Sequence, residues 1–220
     1  MSLIVLHNSL LIMKKSIPVT TLFVDIGGVL LTDGWSHEFR KLAVNKFNLN
    51  MEEMEIRHSM TFETFEIGKL TIDEYLNLVV FYQPRSFTQA QFQEFMFAQS
   101  KSYPKMISLI RELKAKYRLK IVVVSNEARE LNAHRIQKFR LDEFVDSFIS
   151  SCFVSLRKPD TDIFRLALDI AQVPAEQVIY IENTPMFVQI AEGLGIRSIC
   201  HTDYMSTREK LALFGLEVSE

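Results

Sequence analysis

Residues 21–30 read TLFVDIGGVL, and this stretch decides the fold. The apolar run Thr21–Val24 is typical of a buried strand, and it stops at the carboxylate of Asp25. Gly27 and Gly28 follow, which indicates a turn directly after the strand. In open α/β sheets the ligand site lies beyond the carboxyl ends of the strands, so this pattern predicts a site at Asp25.

Beyond residue 100, predicted strands and helices alternate. Apolar runs predict strands at 119–124, 148–149, 178–181 and 198–200, and segments with helical periodicity separate them. Strands that alternate with helices predict parallel βαβ units and a sheet covered on both faces. The predicted fold class is therefore α/β, a Rossmann-like parallel sheet with helices on both faces.

The segment between the first strand and residue 100 has a helical pattern of apolar residues and no predicted strand. Its apolar residues recur at helical spacing, and it holds nine of the seventeen phenylalanines, which indicates a small helical bundle with its own core. We therefore predict a core formed by residues 17–33 and 101–220 and an inserted helical domain at 34–100. Residues 1–16 are predicted to be an N-terminal extension.

Composition narrows the classes of partner. Twenty-five basic and 27 acidic residues give a net charge of −2, which offers little attraction for nucleic acid or an anionic membrane. No stretch approaches the roughly 18–20 apolar residues that cross a bilayer. The two cysteines, Cys152 and Cys200, are too few for a disulfide framework, although one disulfide stays open. We expect no nucleic-acid or membrane partner and a cytoplasmic location.

Polar residues follow the predicted strands. Ser125 and Asn126 come after the second strand, and Glu182 and Asn183 come after the strand at 178–181. Lys158 stands in a loop that the next residue, a proline, keeps out of helix. Phosphoryl transfer uses these kinds of group: a carboxylate, hydroxyl and amide groups, a cation, and oxygen ligands for a hard cation such as Mg²⁺.

Four segments together resemble the ordered motifs of the haloacid dehalogenase superfamily. They are FVDIGGVL at 23–30, VVSN at 123–126, RKPD at 157–160 and IEN at 181–183. The helical insert directly after the first motif resembles members with an α-helical cap, among them small-molecule phosphatases that act on sugar phosphates. The resemblance implies a hydrolase with a Rossmann-like core, a cap domain and a Mg²⁺ cofactor.

The resemblance also implies roles for individual residues. Asp25 would attack phosphorus to give an aspartyl-phosphate, and Asp25 and the Gly27 carbonyl would hold Mg²⁺. Ser125, Asn126 and Lys158 would bind the substrate phosphate, with Ser125 and Lys158 in catalytic roles because they stabilise the transferring group.

Two departures from the superfamily pattern matter. The phosphatases usually carry a second aspartate two residues after the nucleophile, where this chain has Gly27; Asp33 and His37 are the nearest polar candidates, or ordinary hinge residues. The fourth motif usually carries paired aspartates. Here Glu182 would be the acidic metal ligand, directly or through water, and Asn183 would be its neighbour in the metal site. We therefore expect weaker Mg²⁺ binding than in a site with two aspartates.

Three functions stay open on the sequence alone. The leading hypothesis is a Mg²⁺-dependent phosphatase acting on a small phosphorylated metabolite, as a monomer or homodimer. A binding or regulatory protein without turnover would account for Gly27 and the altered fourth motif. The branches that cleave carbon–phosphorus or carbon–halogen bonds also lack the second aspartate, but nothing marks out Lys41, Lys46 or Lys69 as the amine that such chemistry needs. A phosphate-release screen discriminates the phosphatase from the binding or regulatory protein.

Overall fold

The computed structural model describes residues 17–218, so the predicted extension at 1–16 lies outside the described residues. Five strands form one parallel sheet, in the order β3-β2-β1-β4-β5. The strands are β1 (Thr21–Val24), β2 (Lys120–Ser125), β3 (Ser147–Ser150), β4 (Val178–Glu182) and β5 (Arg197–Cys200).

Ten α-helices connect and cover the strands within the described part of the chain. They are α1 (His37–Phe47), α2 (Met51–Glu66), α3 (Ile72–Val79), α4 (Gln89–Ala98), α5 (Pro104–Tyr117), α6 (Arg129–Lys138), α7 (Ser151–Val154), α8 (Asp162–Ala171), α9 (Pro185–Gly193) and α10 (Tyr204–Leu213). The predicted fold class is confirmed: the protein is α/β with a Rossmann-like parallel sheet.

The central strand shows why both faces of the sheet are covered. Leu22 and Val24 point to the face packed by α5 and α10, whereas Phe23 points to the face packed by α8 and α9. Successive residues of a strand face opposite sides of the sheet. All three side chains are fully buried, so helices must cover both sides. A strand buried on both faces has a continuous apolar run, as residues 21–24 have.

Strand register brings the functional residues to one edge. Val24 pairs with Val123 of β2 and with Ile181 of β4. The carboxyl ends of the three central strands are therefore level, and Asp25, Ser125 and Glu182 emerge side by side at the same edge.

Helices α1 to α4 follow β1 and share a hydrophobic cluster of their own. Tyr75, Leu76 and Phe92 are fully buried in it, and residues Ala128 and Leu131, from the stretch after β2, join it. The phenylalanine-rich segment thus fills a packed interior, as helical bundles require.

The described residues also show the state of the two cysteines and the character of the helices. Cys152 and Cys200 are both free, so neither forms the disulfide that the sequence left open. Within residues 17–218, no helix combines the length and the apolarity that a membrane crossing needs.

Candidate active site

A buried carboxylate and a buried ammonium group meet at the carboxyl edge of the sheet. Asp25, directly after β1, is 6% exposed, and Lys158 is 1% exposed. Lys158 Nζ lies 3.1 Å from Asp25 Oδ1 and 2.6 Å from Glu182 Oε2. Lys158 Nζ also donates to the Tyr180 hydroxyl at 3.1 Å. One cation is therefore shared by two buried carboxylates.

The electrostatics of this cluster follow from burial and from unequal numbers of charges. Burial first, and repulsion from Glu182 second, raise the pKa of Asp25 to about 7, although Lys158 and a hydrogen bond from Ser125 oppose the rise. Burial works against a charged Lys158, but attraction to Asp25 and Glu182 outweighs it and raises the pKa of Lys158. The cluster is short of positive charge, and a bound cation would relieve it.

The loop that carries Lys158 is held in place by Asn126. The Asn126 amide donates to the Lys158 carbonyl at 2.9 Å, and Lys158 N–H donates back to Asn126 Oδ1 at 2.8 Å. Lys158 Nζ also lies 4.9 Å from the centre of the Phe187 ring. The side chain of Asn126 is thus committed to positioning Lys158.

Glu182 accepts hydrogen bonds on both of its oxygens. Oε2 accepts from Lys158 and from the Tyr180 hydroxyl, and Oε1 accepts from Thr184 N–H at 2.8 Å. With its amide oriented to suit its neighbours, Asn183 donates to Glu182 Oε1 at 2.9 Å. Glu182 is fully buried, and these bonds fix its carboxylate beside Asp25.

The turn after β1 packs against Asn183. In the same orientation the Asn183 amide donates to the Gly27 carbonyl at 3.2 Å. Gly28 has a φ of +74°, and a Cβ at this position would overlap the Asn183 amide. Only glycine can therefore occupy position 28 while Asn183 keeps its place.

All the site residues predicted from the sequence line one small cavity of about 220 Å³. They are Asp25, Gly27, Ser125, Asn126, Lys158, Glu182 and Asn183. Asp33 lines the same cavity, whereas His37 does not; the His37 side chain is 59% exposed and lies 3.4 Å from Glu55.

A family model of the haloacid dehalogenase-like hydrolases matches residues 25–201, from the acid after β1 to the end of β5. The chain belongs to this family. One curated relative, named "Putative pyrophosphatase PpaX", from Caldanaerobacter subterraneus, is 26% identical over 100 residues, which are 44% of this chain and 46% of that protein. The matched part therefore spans about half the length of that relative.

Solved structures of other haloacid dehalogenase-like proteins share the fold. A family enzyme from Bacteroides thetaiotaomicron superposes with a TM-score of 0.72 at 18% identity, covering 90% of this chain and 98% of that one. The same enzyme in complex with magnesium and inorganic phosphate gives 0.70 at 18% identity, covering 84% and 94%. A predicted hydrolase of the family from Porphyromonas gingivalis gives 0.70 at 18% identity, covering 88% and 98%.

This haloacid dehalogenase-like hydrolase has site residues that the sequence reasoning missed. Tyr180 bonds to Lys158 and Glu182, and Glu127 lines the cavity beside Ser125. One signal could have found Tyr180: it stands two residues before Glu182 on β4, so both side chains leave the strand on the same side. No comparable signal marks Glu127.

A second cavity, of about 280 Å³, adjoins the first in this family member. The two share Asp33, Gly34, Asn126 and Glu127 in their walls. Residues of α1 and α2 and the stretch before them close its far side: Trp35, Ser36, Arg40, His58, Phe62, Phe65 and Glu66.

A chain of hydrogen bonds joins Trp35, Tyr75 and His58 in this second cavity. Trp35 Nε1 donates to the Tyr75 hydroxyl at 3.0 Å, and the hydroxyl lies 2.8 Å from His58 Nδ1. An indole N–H can only donate, so the Tyr75 oxygen accepts from it and keeps its own hydrogen available for Nδ1. Burial first, and the charge of Arg40 second, lower the pKa of His58 to about 4.

We expect His58 to make the stability of this hydrolase fall in mild acid. The unfolded chain takes up the proton near pH 6.5, whereas the folded chain resists it down to about pH 4, because burial and Arg40 outweigh the attraction of Glu55. The contribution of His58 to stability is thus fully present above about pH 6.5 and is lost as the pH falls toward 4, by at most ~3.5 kcal/mol at ~1.4 kcal/mol per pKa unit.

Urea unfolding at pH 7, 6 and 5 measures this dependence. His58→Gln should flatten part of the slope, and the rest should persist because the pKa values of His134 and His201 are also lowered, by burial first. His37→Gln, at the exposed histidine, is the matched control and should keep the full slope. An unchanged slope in His58→Gln would contradict the lowered pKa of His58.

Proposed function

We propose that this hydrolase is a Mg²⁺-dependent phosphatase that acts on a small phosphorylated metabolite through an aspartyl-phosphate. The observation that carries the proposal is the 3.1 Å approach of Lys158 Nζ to Asp25 Oδ1 inside a cavity that Ser125 also lines. A nucleophilic carboxylate, a fixed cation and a hydroxyl donor around one small volume suit a phosphoryl group and little else.

The chain's own residues would act in two steps. A carboxylate oxygen of Asp25 bonds to phosphorus while the bond from phosphorus to the alcohol oxygen of the substrate breaks. Water then attacks the aspartyl-phosphate, so that inorganic phosphate leaves and the Asp25 carboxylate is restored. Lys158 and Ser125 would face the phosphoryl oxygens in both steps and offset their negative charge.

Mg²⁺ fits the oxygen groups around Asp25. Asp25 Oδ1 is buried and faces Lys158 Nζ at 3.1 Å without a hydrogen bond of good geometry, so it can accept a further positive ligand. We propose that Asp25, the Gly27 carbonyl and Asn183 hold the ion. Glu182 would add its charge through water, because both of its oxygens already accept hydrogen bonds. When bound, Mg²⁺ supplies Lewis-acid stabilisation of the phosphoryl oxygens.

The donor set suits a hard cation only. Among the described residues, no His or Cys lines this cavity, so soft or nitrogen-preferring ions lack ligands here. Two carboxylates with carbonyl and amide oxygens suit Mg²⁺, which commonly keeps several waters. The Bacteroides thetaiotaomicron enzyme binds magnesium and inorganic phosphate, which supports the proposal that this chain binds them too.

The second cavity would receive the leaving group. At about 280 Å³ it is smaller than the roughly 300–1,000 Å³ of pockets for drug-sized ligands, which supports a small metabolite. We also propose that residues 34–100 form a cap over the core, since α1 to α4 share one cluster and Arg157 of the core binds Glu66 of α2 at 2.9 Å. The two free cysteines support a cytoplasmic location.

Phosphate release from a panel of monoesters tests the proposed function. We expect release with Mg²⁺ present, loss to background with excess chelator, and recovery when Mg²⁺ is added back. Mg²⁺ should also raise the melting temperature of the unmodified chain by binding the folded state, and should do so less in Asp25→Asn. Activity indifferent to chelator would contradict the metal site, and silence across the panel with Mg²⁺ would contradict the phosphatase.

A further inference from the structure

The alkoxide that leaves a phosphate ester needs a proton, and the water that attacks next needs a base. Gly27, two residues after Asp25, has no side chain that could serve. We infer that Asp33, in the loop between β1 and α1, performs both proton transfers. This inference rests on the proposed phosphatase function.

Asp33 is the uncommitted acid of the cavity that holds Asp25. Four acidic side chains line this cavity, and Asp25 itself is the attacking group. Glu182 is fully buried and bonded through both oxygens, and Glu127 is paired with the buried guanidinium of Arg135. Within residues 17–218, the Asp33 carboxylate enters no ion pair or hydrogen bond, and it is exposed to solvent from which protons can be exchanged.

The position of Asp33 also suits the task. A Cβ built on Gly27 would lie 3.6 Å from Asp33 Oδ1 and 3.6 Å from Asp33 Cα. The Asp33 carboxyl group therefore occupies the space into which a side chain at position 27 would extend. That space adjoins both Asp25 and the second cavity, where the leaving group would lie.

The backbone before Asp33 is fixed from several sides. Thr32 N–H donates to the Lys101 carbonyl at 2.8 Å, and Thr32 Oγ1 donates to the Gln99 carbonyl at 3.0 Å. The buried Arg135 donates to the Thr32 carbonyl. A carboxyl group that follows such an anchored residue keeps its place without reorganisation during the reaction.

The proton and electron pairs balance over the cycle. Protonated Asp33 gives its proton to the alcohol oxygen as the bond to phosphorus breaks, which leaves a neutral alcohol and an Asp33 carboxylate. That carboxylate then takes a proton from water as the water oxygen bonds to phosphorus. The bond from phosphorus to Asp25 breaks, phosphate leaves, and Asp33 is protonated again.

The test compares two esters in Asp33→Asn. An alkyl phosphate needs a proton on its leaving oxygen, so we expect its kcat to fall by roughly 10²–10⁴-fold. The p-nitrophenolate of p-nitrophenyl phosphate leaves without a proton. Rapid-mixing measurements should therefore show a first turnover near the wild-type rate, followed by slow turnovers because the attacking water lacks its base.

Two further variants sharpen the result. His37→Gln is the matched control, because His37 is exposed and off the cavity, and it should keep wild-type rates on both esters. Asp33→Ala empties the space next to Gly27, which does not have a left-handed φ, so Gly27→Asp in the Asp33→Ala background should restore alkyl phosphate turnover.

Three outcomes would decide against the inference. Wild-type alkyl phosphate turnover in Asp33→Asn would overturn it, and so would equal losses on the two esters without a burst. If the unmodified chain released phosphate from neither ester, the proposed function would fail, and the inference with it.

Discussion

Asp25→Asn should remove phosphate release and leave the fold at least as stable as before. Without the nucleophile we expect kcat to fall by a factor on the order of 10⁴ or more, as in other enzymes that lose a covalent catalytic group. The fold should persist because burial and Glu182 already disfavour a charged Asp25, so a neutral amide of the same shape relieves the repulsion. Lys158 keeps Glu182 as its partner.

Two measurements on the same preparation check this prediction. Phosphate release is followed with a monoester and Mg²⁺, and the melting temperature is recorded in parallel. Asp169→Asn, at an exposed carboxylate on α8, is the matched control and should retain both properties. Undiminished turnover by Asp25→Asn would refute the nucleophile, whereas a collapsed melting temperature would show that Asp25 is needed for folding.

The sheet could be predicted because its strands contain apolar runs, but the predicted ends are one residue early at three strands. β2 includes Ser125, β3 includes Ser150 and β4 includes Glu182, each one residue beyond the apolar run. Strand pairing is made by backbone groups, so a polar side chain does not end it. The helix α10 was not predicted, since its apolar side chains are spread around the helix rather than gathered on one face.

The site could be predicted as a set of residues, but not as a network. The polar ends of β1, β2 and β4 had to meet, because neighbouring parallel strands end at the same edge. By contrast, the clamp between Asn126 and the Lys158 backbone depends on the path of a loop. The approach of Asp33 to position 27 depends on how Thr32 is anchored to residues nearly 70 positions away. Such long-range loop contacts leave no periodic signal in the sequence.

Lys158→Met should lower the free energy of unfolding by about 3–5 kcal/mol and abolish turnover, since a buried pair that loses one partner leaves uncompensated charge. Lys158 is the ammonium group shared by Asp25 and Glu182, all three of which are buried. Methionine has a similar length and fills the same space, so the loss would report charge rather than packing. Urea unfolding at pH 7 measures it. Lys41→Met, at an exposed lysine, is the control and should change little.

The pH dependence of this loss separates charge from shape. Without Lys158, the pKa of Asp25 rises further above its unfolded value, so the deficit should shrink as the pH falls from 7 to 5 and Asp25 is protonated. Adding Glu182→Gln removes one of the two carboxylates and should restore most of the stability. Turnover should stay absent in this double variant, because the ammonium group that faces the phosphoryl oxygens is still missing. A deficit that is independent of pH and of Glu182 would mean that Lys158 contributes packing alone, and the electrostatic account of the site would have to be abandoned.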